Sequence, residues 1–335
     1  MIRLRRPNVI PPTLRAGGPG GLLAQEHERR RRENVSADIV FDPHWQKLDV
    51  HGALLAMQGW VCAYCQTRIR PRDKKYVDHF RPKRGVYWWL AYAHDNYFLT
   101  CGQCNERKGD RFPIEAGGCR VTFETRDTRK TEPRLLIDLV DDPVDKWLVV
   151  DVDEDGDHYA EIAPREEFDP FSKEAFRVSE TIELFALNDD EDLLQERVRA
   201  LDRLTRLHRA GKLDQLRKRA SRYCCHCLTV RSFIETYAPD LFPDATSELQ
   251  WFMGRLCRRL LSLLDRRERR GRKSDALLRR ASEIAWTLAY LWKDPPVGTA
   301  EDVARFLEQN GCKERVQRYY VKLGAGEPAP ETEGC

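Results

Sequence analysis

The chain has 335 residues, 41% of them hydrophobic and 33% charged. That balance fits a folded protein of about two domains and excludes a wholly disordered one. The formal net charge is only +3, and no apolar run approaches the ~18–20 residues of a membrane helix, so a spanning role is excluded.

Residues 1–40 read as a basic, flexible arm with room for one short helix. They carry Pro11-Pro12, the glycine run from Gly17 to Gly21 and four arginines at 29–32. The opening stretch is basic with no apolar segment behind it. No secretory signal is expected, and the expected location is cytoplasmic. Residues 41–115 read as a compact module holding nearly all the close cysteine pairs. Residues 116–170 read as an acidic segment of short strands, at Arg134–Val140, Trp147–Val152 and Tyr159–Ile162. From 171 to 323 the apolar period becomes helical. Leu194, Val198, Leu201, Leu204 and Leu207 form one stripe, and Leu277, Ala281, Ile284, Leu288 and Leu291 form another. Residues 324–335, rich in Gly, Pro and Glu, read as a disordered tail.

Charge is unevenly spread. Between Cys62 and Phe112 eleven Lys/Arg face five Asp/Glu, whereas between Asp138 and Asp169 thirteen acids face two bases. A basic module beside an acidic segment points to an anionic partner for the first.

Cys62-Ala-Tyr-Cys65 and Cys101-Gly-Gln-Cys104 are matched C-x-x-C turns, and two such turns complete a tetrahedral Zn²⁺ site. The 35 residues between them exceed the usual ribbon spacing, so a segment is inserted between the knuckles. That insertion carries Asp78-His79, then Arg81, Lys83 and Asn96, with Asn105 directly after the last cysteine. A carboxylate and an amide oxygen, from Asp78 and Asn105, would suit a hard Mg²⁺ or Mn²⁺. An imidazole clear of the metal, His79, could take a proton from water near neutral pH. Lys108 and Arg111, at helical spacings after Asn105, could reach phosphate oxygens, as could Arg81 and Lys83.

These stretches, together with Tyr87–Tyr92, resemble HNH endonucleases of the ββα-metal type. More closely, they resemble the bacterial anti-phage HNH proteins of the PtuB kind, found in Septu and some retron defence systems. Weaker similarity continues through Arg134–Pro143 and Thr181–Asn188, so the resemblance spans roughly residues 45–205. It implies that Asp78 and Asn105 hold one divalent metal and that His79 is the general base. It also implies that Asn96 braces the loop of the motif, and that the four cysteines hold structural zinc. Asn105 stands where the signature has its second histidine, which leaves the metal preference less defined. Cleavage would leave 5′-phosphate and 3′-hydroxyl ends. The nucleic acid expected is DNA, and with no base-reading helix in the sequence little sequence specificity is expected unless a partner supplies it. The resemblance further implies gating by a partner ATPase of the SMC/ABC type. The sequence has no Walker-type G-x-x-x-x-G-K-[ST] loop of its own, so ATP sensing would come from outside.

The fold expected is mainly α with a small α+β part: a zinc-stapled ββα module set in a largely helical protein. Its helical region could dock a partner or a second copy of the chain. The alternatives are an HNH nuclease of restriction or DNA repair, and a non-catalytic zinc module that binds nucleic acid. The latter has no use for Asp78, His79 and Asn105 together.

Four other features carry less. Asp151, Asp153, Asp155 and Gly156 mimic half of a calcium loop, but Ile162 stands where a bidentate Glu is needed. Cys224, Cys225, His226 and Cys227 lack a matching second pair, and Cys257 and His208 stand alone in sequence, so helix-borne thiols are expected. The arginine-rich stretch 266–273 reads as a solvated helix end or loop, the alternative being a DNA contact. Trp88 and Trp89 read as core.

Overall fold

The computed structural model describes residues 1–33, 40–70, 73–152, 159–221, 223–270 and 275–324. The turn residues Asp153, Asp155 and Gly156, the tail from 325 onward and residues 271–273 of the arginine-rich stretch lie outside them. In chain order the elements begin with helices α1 (Pro19–Arg32) and α2 (Leu48–Gln58), then strands β1 (Tyr76–His79) and β2 (Tyr97–Thr100). Helices α3 (Gly102–Lys108) and α4 (Val144–Trp147) and strands β3 (Leu148–Val150) and β4 (Ile162–Pro164) follow. Among the described residues the elements that follow are helices: α5 (Lys173–Leu184), α6 (Glu191–Arg209), α7 (Leu213–Arg219), α8 (Cys227–Tyr237), α9 (Ala245–Arg270), α10 (Asp275–Lys293), α11 (Ala300–Gln309) and α12 (Lys313–Gly324). The chain is therefore mainly helical, and its described residues form two small antiparallel sheets, β1–β2 and β3–β4. No described helix is long and apolar enough to cross a membrane.

The chain divides into two compact units. The first comprises Met1–Arg6, Met57–Ala91 and Asp95–Trp251; the second comprises Pro7–Ala56, Tyr92–His94 and Phe252–Cys335. The helices after Ser172 are divided between the two units. Periodicity reports that a helix has an apolar face, not which unit that face joins.

In the first unit, β1 and β2 pair in register, Asp78 opposite Phe98 and His79 opposite Tyr97, and α3 packs on β1. Caps set the starts of the longer helices. Ser172 accepts from the Ala175 N–H at 3.1 Å and Asp190 from the Leu193 N–H at 3.1 Å. The α6 stripe turns Leu201 and Leu204 into a cluster with Leu216, Val230, Phe233 and Ile234. The predicted strand at Arg134–Val140 is not one; only Arg134 forms an isolated bridge, to Ile114. Leu135, Leu136 and Ile137 are buried consecutively rather than alternately. Their backbone is met by side chains instead: Ile137 N–H donates to Thr181 Oγ1 at 3.1 Å, and Asp138 N–H to Asp142 Oδ2 at 2.7 Å. The first residues also depart from the expected loose arm. Met1, Ile2 and Leu4 are buried, and Leu4 N–H donates to Leu139 O at 2.6 Å.

In the second unit, α10 packs on α12 and α11 and is buried almost all round from Glu283 to Trp292. Gly52 of α2 is required by close approach: a Cβ there would lie 2.5 Å from the Trp286 Cβ. Pro19–Arg32 of the predicted arm is helix α1, whose His27 is buried and faces the Tyr92 ring at 5.8 Å.

Candidate functional site: a four-cysteine centre beside an Asp-His strand

The first C-x-x-C turn lies just after α2. Cys62 N–H donates to Thr67 O, Gln66 N–H donates to Cys62 O, and Gln66 closes the turn with φ of 61°. The second turn opens α3, where Cys101 is the N-cap and its sulfur accepts from the Cys104 N–H at 3.5 Å. The four sulfurs lie within 4.8 Å of one another, and three of the four residues are buried. Cys65 and Cys101 sulfurs are 3.7 Å apart. That is too long for a disulfide. It matches the edge of about 3.8 Å that four Zn–S bonds of about 2.3 Å impose on a tetrahedron. Contacts from Cys104 and Cys62 push the Cys101 thiol down, while burial pushes Cys62 up. Four thiols crowded together cannot all ionise unaided, and a divalent cation at their centre removes that conflict. The set fits a structural zinc.

Gln66 ties this knuckle to α8. Its side chain accepts from Leu228 N–H at 3.0 Å and donates to the Cys227 sulfur at 3.0 Å. Cys227 is therefore a packing thiol, and His226 faces Glu196 at 3.2 Å. Among the described residues the four cysteines are the only group of three or more His, Cys, Asp or Glu side chains placed to hold a metal. Cys257, alone in sequence, has a neighbour in space, since the Cys312 sulfur lies 3.8 Å from its carbonyl oxygen. His208 packs edge-on against Phe233 at 6.1 Å.

Asp78 and His79 sit side by side on β1, both buried, and meet different partners as strand alternation requires. Asp78 Oδ2 accepts from Tyr64 O–H at 2.7 Å, and Oδ1 faces the Lys108 ammonium at 3.3 Å. His79 Nε2 lies 3.0 Å from Ala91 O, and its ring stands edge-on to Tyr97 at 4.9 Å. Burial first, and then Lys83, push the His79 pKa down to about 3, so the ring is neutral at pH 7.

Asn96 closes the loop that follows His79. Its Oδ1 accepts from Arg81 N–H at 2.8 Å, and its Nδ2 donates to Arg81 O at 2.8 Å. Both backbone groups of one residue are held by one buried amide. Asn105 lies on α3, partly exposed, directly after the second knuckle.

The four expected phosphate contacts divide into two pairs. Arg81 is buried against Glu132, Nε to Oε2 at 2.6 Å, and donates to Arg129 O at 3.0 Å. Lys108 is fully buried and donates to His79 O at 2.7 Å. Neither presents its charge outward. Lys83 is half-buried and Arg111 exposed. Arg111 does not continue the helical spacing from Asn105, because α3 ends at Gly109 with φ of 49°. Sequence reasoning missed Tyr64 and Glu132. Tyr64 sits inside the first C-x-x-C turn, which was a usable signal; nothing near Glu132 marks it. Trp88 and Trp89 are half-buried, against Phe123 at 5.3 and 6.4 Å.

Two curated proteins resemble the chain, each named Septu protein PtuB. One, from Bacillus mycoides (strain KBAB4), is 26% identical over 157 residues, covering 43% of this chain and 52% of that protein. The other, from Bacillus thuringiensis, is 32% identical over 111 residues, covering 32% of this chain and 37% of that protein. The matched region thus spans about half or less of these relatives. No family model and no solved structure matches.

Proposed function

We propose that the chain is a metal-dependent HNH endonuclease, hydrolysing phosphodiester bonds of DNA, as an effector of bacterial anti-phage defence. The observation that carries this reading is the setting of His79. A carbonyl oxygen only accepts, so the contact of Nε2 with Ala91 O places the ring proton on Nε2. The neutral ring then has Nδ1 as its basic atom. Nδ1 takes the proton of a water as that water attacks phosphorus in line, and the 3′-oxygen departs. The negative phosphodiester raises the basicity of the ring it approaches. Asn96 holds the chain after His79 so that the ring does not drift.

Asp78 and Asn105 supply hard oxygen donors, and the Asp78 carboxylate already faces a cation, the Lys108 ammonium. A bound Mg²⁺ or Mn²⁺ at these two oxygens would polarise the phosphate and stabilise the leaving oxygen. Of the four candidate cations, Lys83 is half-buried and Arg111 exposed, and these two would meet the nucleic-acid backbone. Zinc at the four cysteines would hold β1, β2 and α3 in register.

The similarity to proteins named for Septu supports the defence role. In that role a separate ATPase gates the nuclease in the cytoplasm, and co-purification of the full chain with the ATPase encoded beside it tests the gating. The test of the chemistry is cleavage of plasmid and of RNA by wild type and His79→Ala, with and without Mg²⁺. Loss of cutting in the variant and without Mg²⁺ is expected; wild-type cutting by a folded His79→Ala protein overturns the assignment.

A further inference from the structure

Helices α9, α10 and α12 of the second unit enclose a half-open cavity of about 270 Å³. One wall is apolar. Leu260 and Leu264 stand one turn apart on α9, and Leu278, Ala281 and Ala285 share a face of α10. The rim is basic, with Arg267 from α9 and Arg315 and Arg318 from α12, against a single acid, Glu314.

None of these three arginines has a carboxylate partner among the described residues. Arg315 donates to Gly311 O at 2.9 Å and Arg318 to the Tyr319 hydroxyl at 2.8 Å. Arg269, two residues along α9 from Arg267 and outside the cavity, pairs with Asp265 at 3.0 Å. The floor is a short polar chain. Arg318 donates to Tyr319, whose hydroxyl donates to Ser282 Oγ at 3.0 Å. The proton of Ser282 is the one not spent within that chain. Tyr319 is buried edge-on against Trp286 at 5.1 Å, which keeps the floor in place.

We infer that this cavity binds a nucleoside phosphate, the base against the leucine and alanine wall and the phosphate on Arg267, Arg315 and Arg318. Guanidinium forks match phosphate oxygens in pairs. An apolar wall suits a base, and the Ser282 hydroxyl can read its edge. The volume lies just under the range of about 300–1,000 Å³ of drug-sized sites, so it holds one compact ligand rather than a helix laid along a groove. The ligand is a free nucleotide or one unit of a single strand. The inference does not depend on nuclease activity in the first unit.

The test uses the full chain carrying His79→Ala, so that no substrate is cut. Calorimetry compares AMP, adenosine and inorganic phosphate, and anisotropy follows a labelled oligo-dT strand. AMP or the strand should bind about tenfold or more tighter than phosphate or adenosine alone. Arg315→Glu, Arg318→Glu and Ser282→Ala should each weaken binding severalfold or more, while Arg305→Glu, on α11 outside the cavity, should not. Binding of AMP identifies a free nucleotide, and binding of the strand alone identifies a chain. Failure of both to bind overturns the inference. So does binding no tighter than phosphate, or binding that the Ser282 and Arg305 variants alter alike. Poly-glutamate binding that Arg315→Glu abolishes, with no nucleotide binding, also overturns it, in favour of an acidic protein partner.

Discussion

The Lys108 ammonium stands 3.3 Å from the Asp78 carboxylate and 2.7 Å from the His79 carbonyl oxygen, with no part of the lysine exposed. One side chain from α3 thus holds two adjacent residues of β1. Removing only one charge of such a pair leaves the other buried and uncompensated. Lys108→Met should lower unfolding stability by about 3 kcal/mol, and Asp78→Asn by a similar amount. The double variant should lose much less than the two combined. Urea denaturation of the four proteins measures this; additive losses would mean that the pair is not coupled in the folded protein.

The inward turn of Lys108 shows where the sequence stops being readable. Matched C-x-x-C spacing foretells four converging sulfurs, because two turns can meet only if the chain between them folds back. The resemblance implied a bracing asparagine, and the Asn96 amide meets the Arg81 N–H and carbonyl. Direction was not legible. Arg81 and Lys108 looked like phosphate contacts because charge type carries no record of burial, and only the fold supplies Glu132 and Asp78 as partners. The apolar run at 134–140 looked like a strand. Leu135, Leu136 and Ile137 are buried in succession, with backbone N–H groups of the stretch bonded to Thr181 and Asp142, and such a run has no period to distinguish it.

The Arg81–Glu132 pair should behave as structure rather than as a phosphate contact. Glu132 also accepts from the Tyr87 hydroxyl at 2.6 Å and the Val121 N–H at 2.9 Å. Glu132→Gln should therefore cost about 2–4 kcal/mol, since it strands a buried guanidinium. Lys83→Ala and Arg111→Ala should leave stability within about 0.5 kcal/mol while weakening nucleic-acid binding and flattening its dependence on salt. Thermal melts and binding titrations across salt separate the two classes. The assignment is wrong if Arg111→Ala destabilises as much as Glu132→Gln.

Zinc removal should act on folding before it acts on chemistry. Metal analysis of the purified chain should find one zinc, and Cys62→Ser or Cys101→Ser should lower both zinc content and stability, because the ion ties residues either side of a 35-residue insertion. Gln66→Ala tests the neighbouring link. It leaves the Leu228 N–H at the start of α8 unsatisfied, for a cost of about 1–3 kcal/mol, with zinc content unchanged. A folded, fully stable protein without zinc would rule out the structural role of the four cysteines.

The proposed catalytic set should fail as a unit. His79, Asp78 and Asn105 would serve one step, so each single substitution to Ala should remove nearly all cutting, and the triple variant should lose little more than the worst single one. His79→Ala also deletes a ring packed on Tyr97, so its fold must be checked by circular dichroism and its zinc content by metal analysis. Asn96→Ala should behave differently. Its amide holds Arg81 N–H and O rather than meeting substrate, so a partial loss of cutting should accompany a stability loss of about 1–3 kcal/mol. The same Mg²⁺ titration that scores His79→Ala should show Asn96→Ala with a lowered maximum rate and an unshifted metal requirement. If Asn96→Ala instead needed far more Mg²⁺ at unchanged stability, Asn96 would be acting at the metal and the bracing role would be lost.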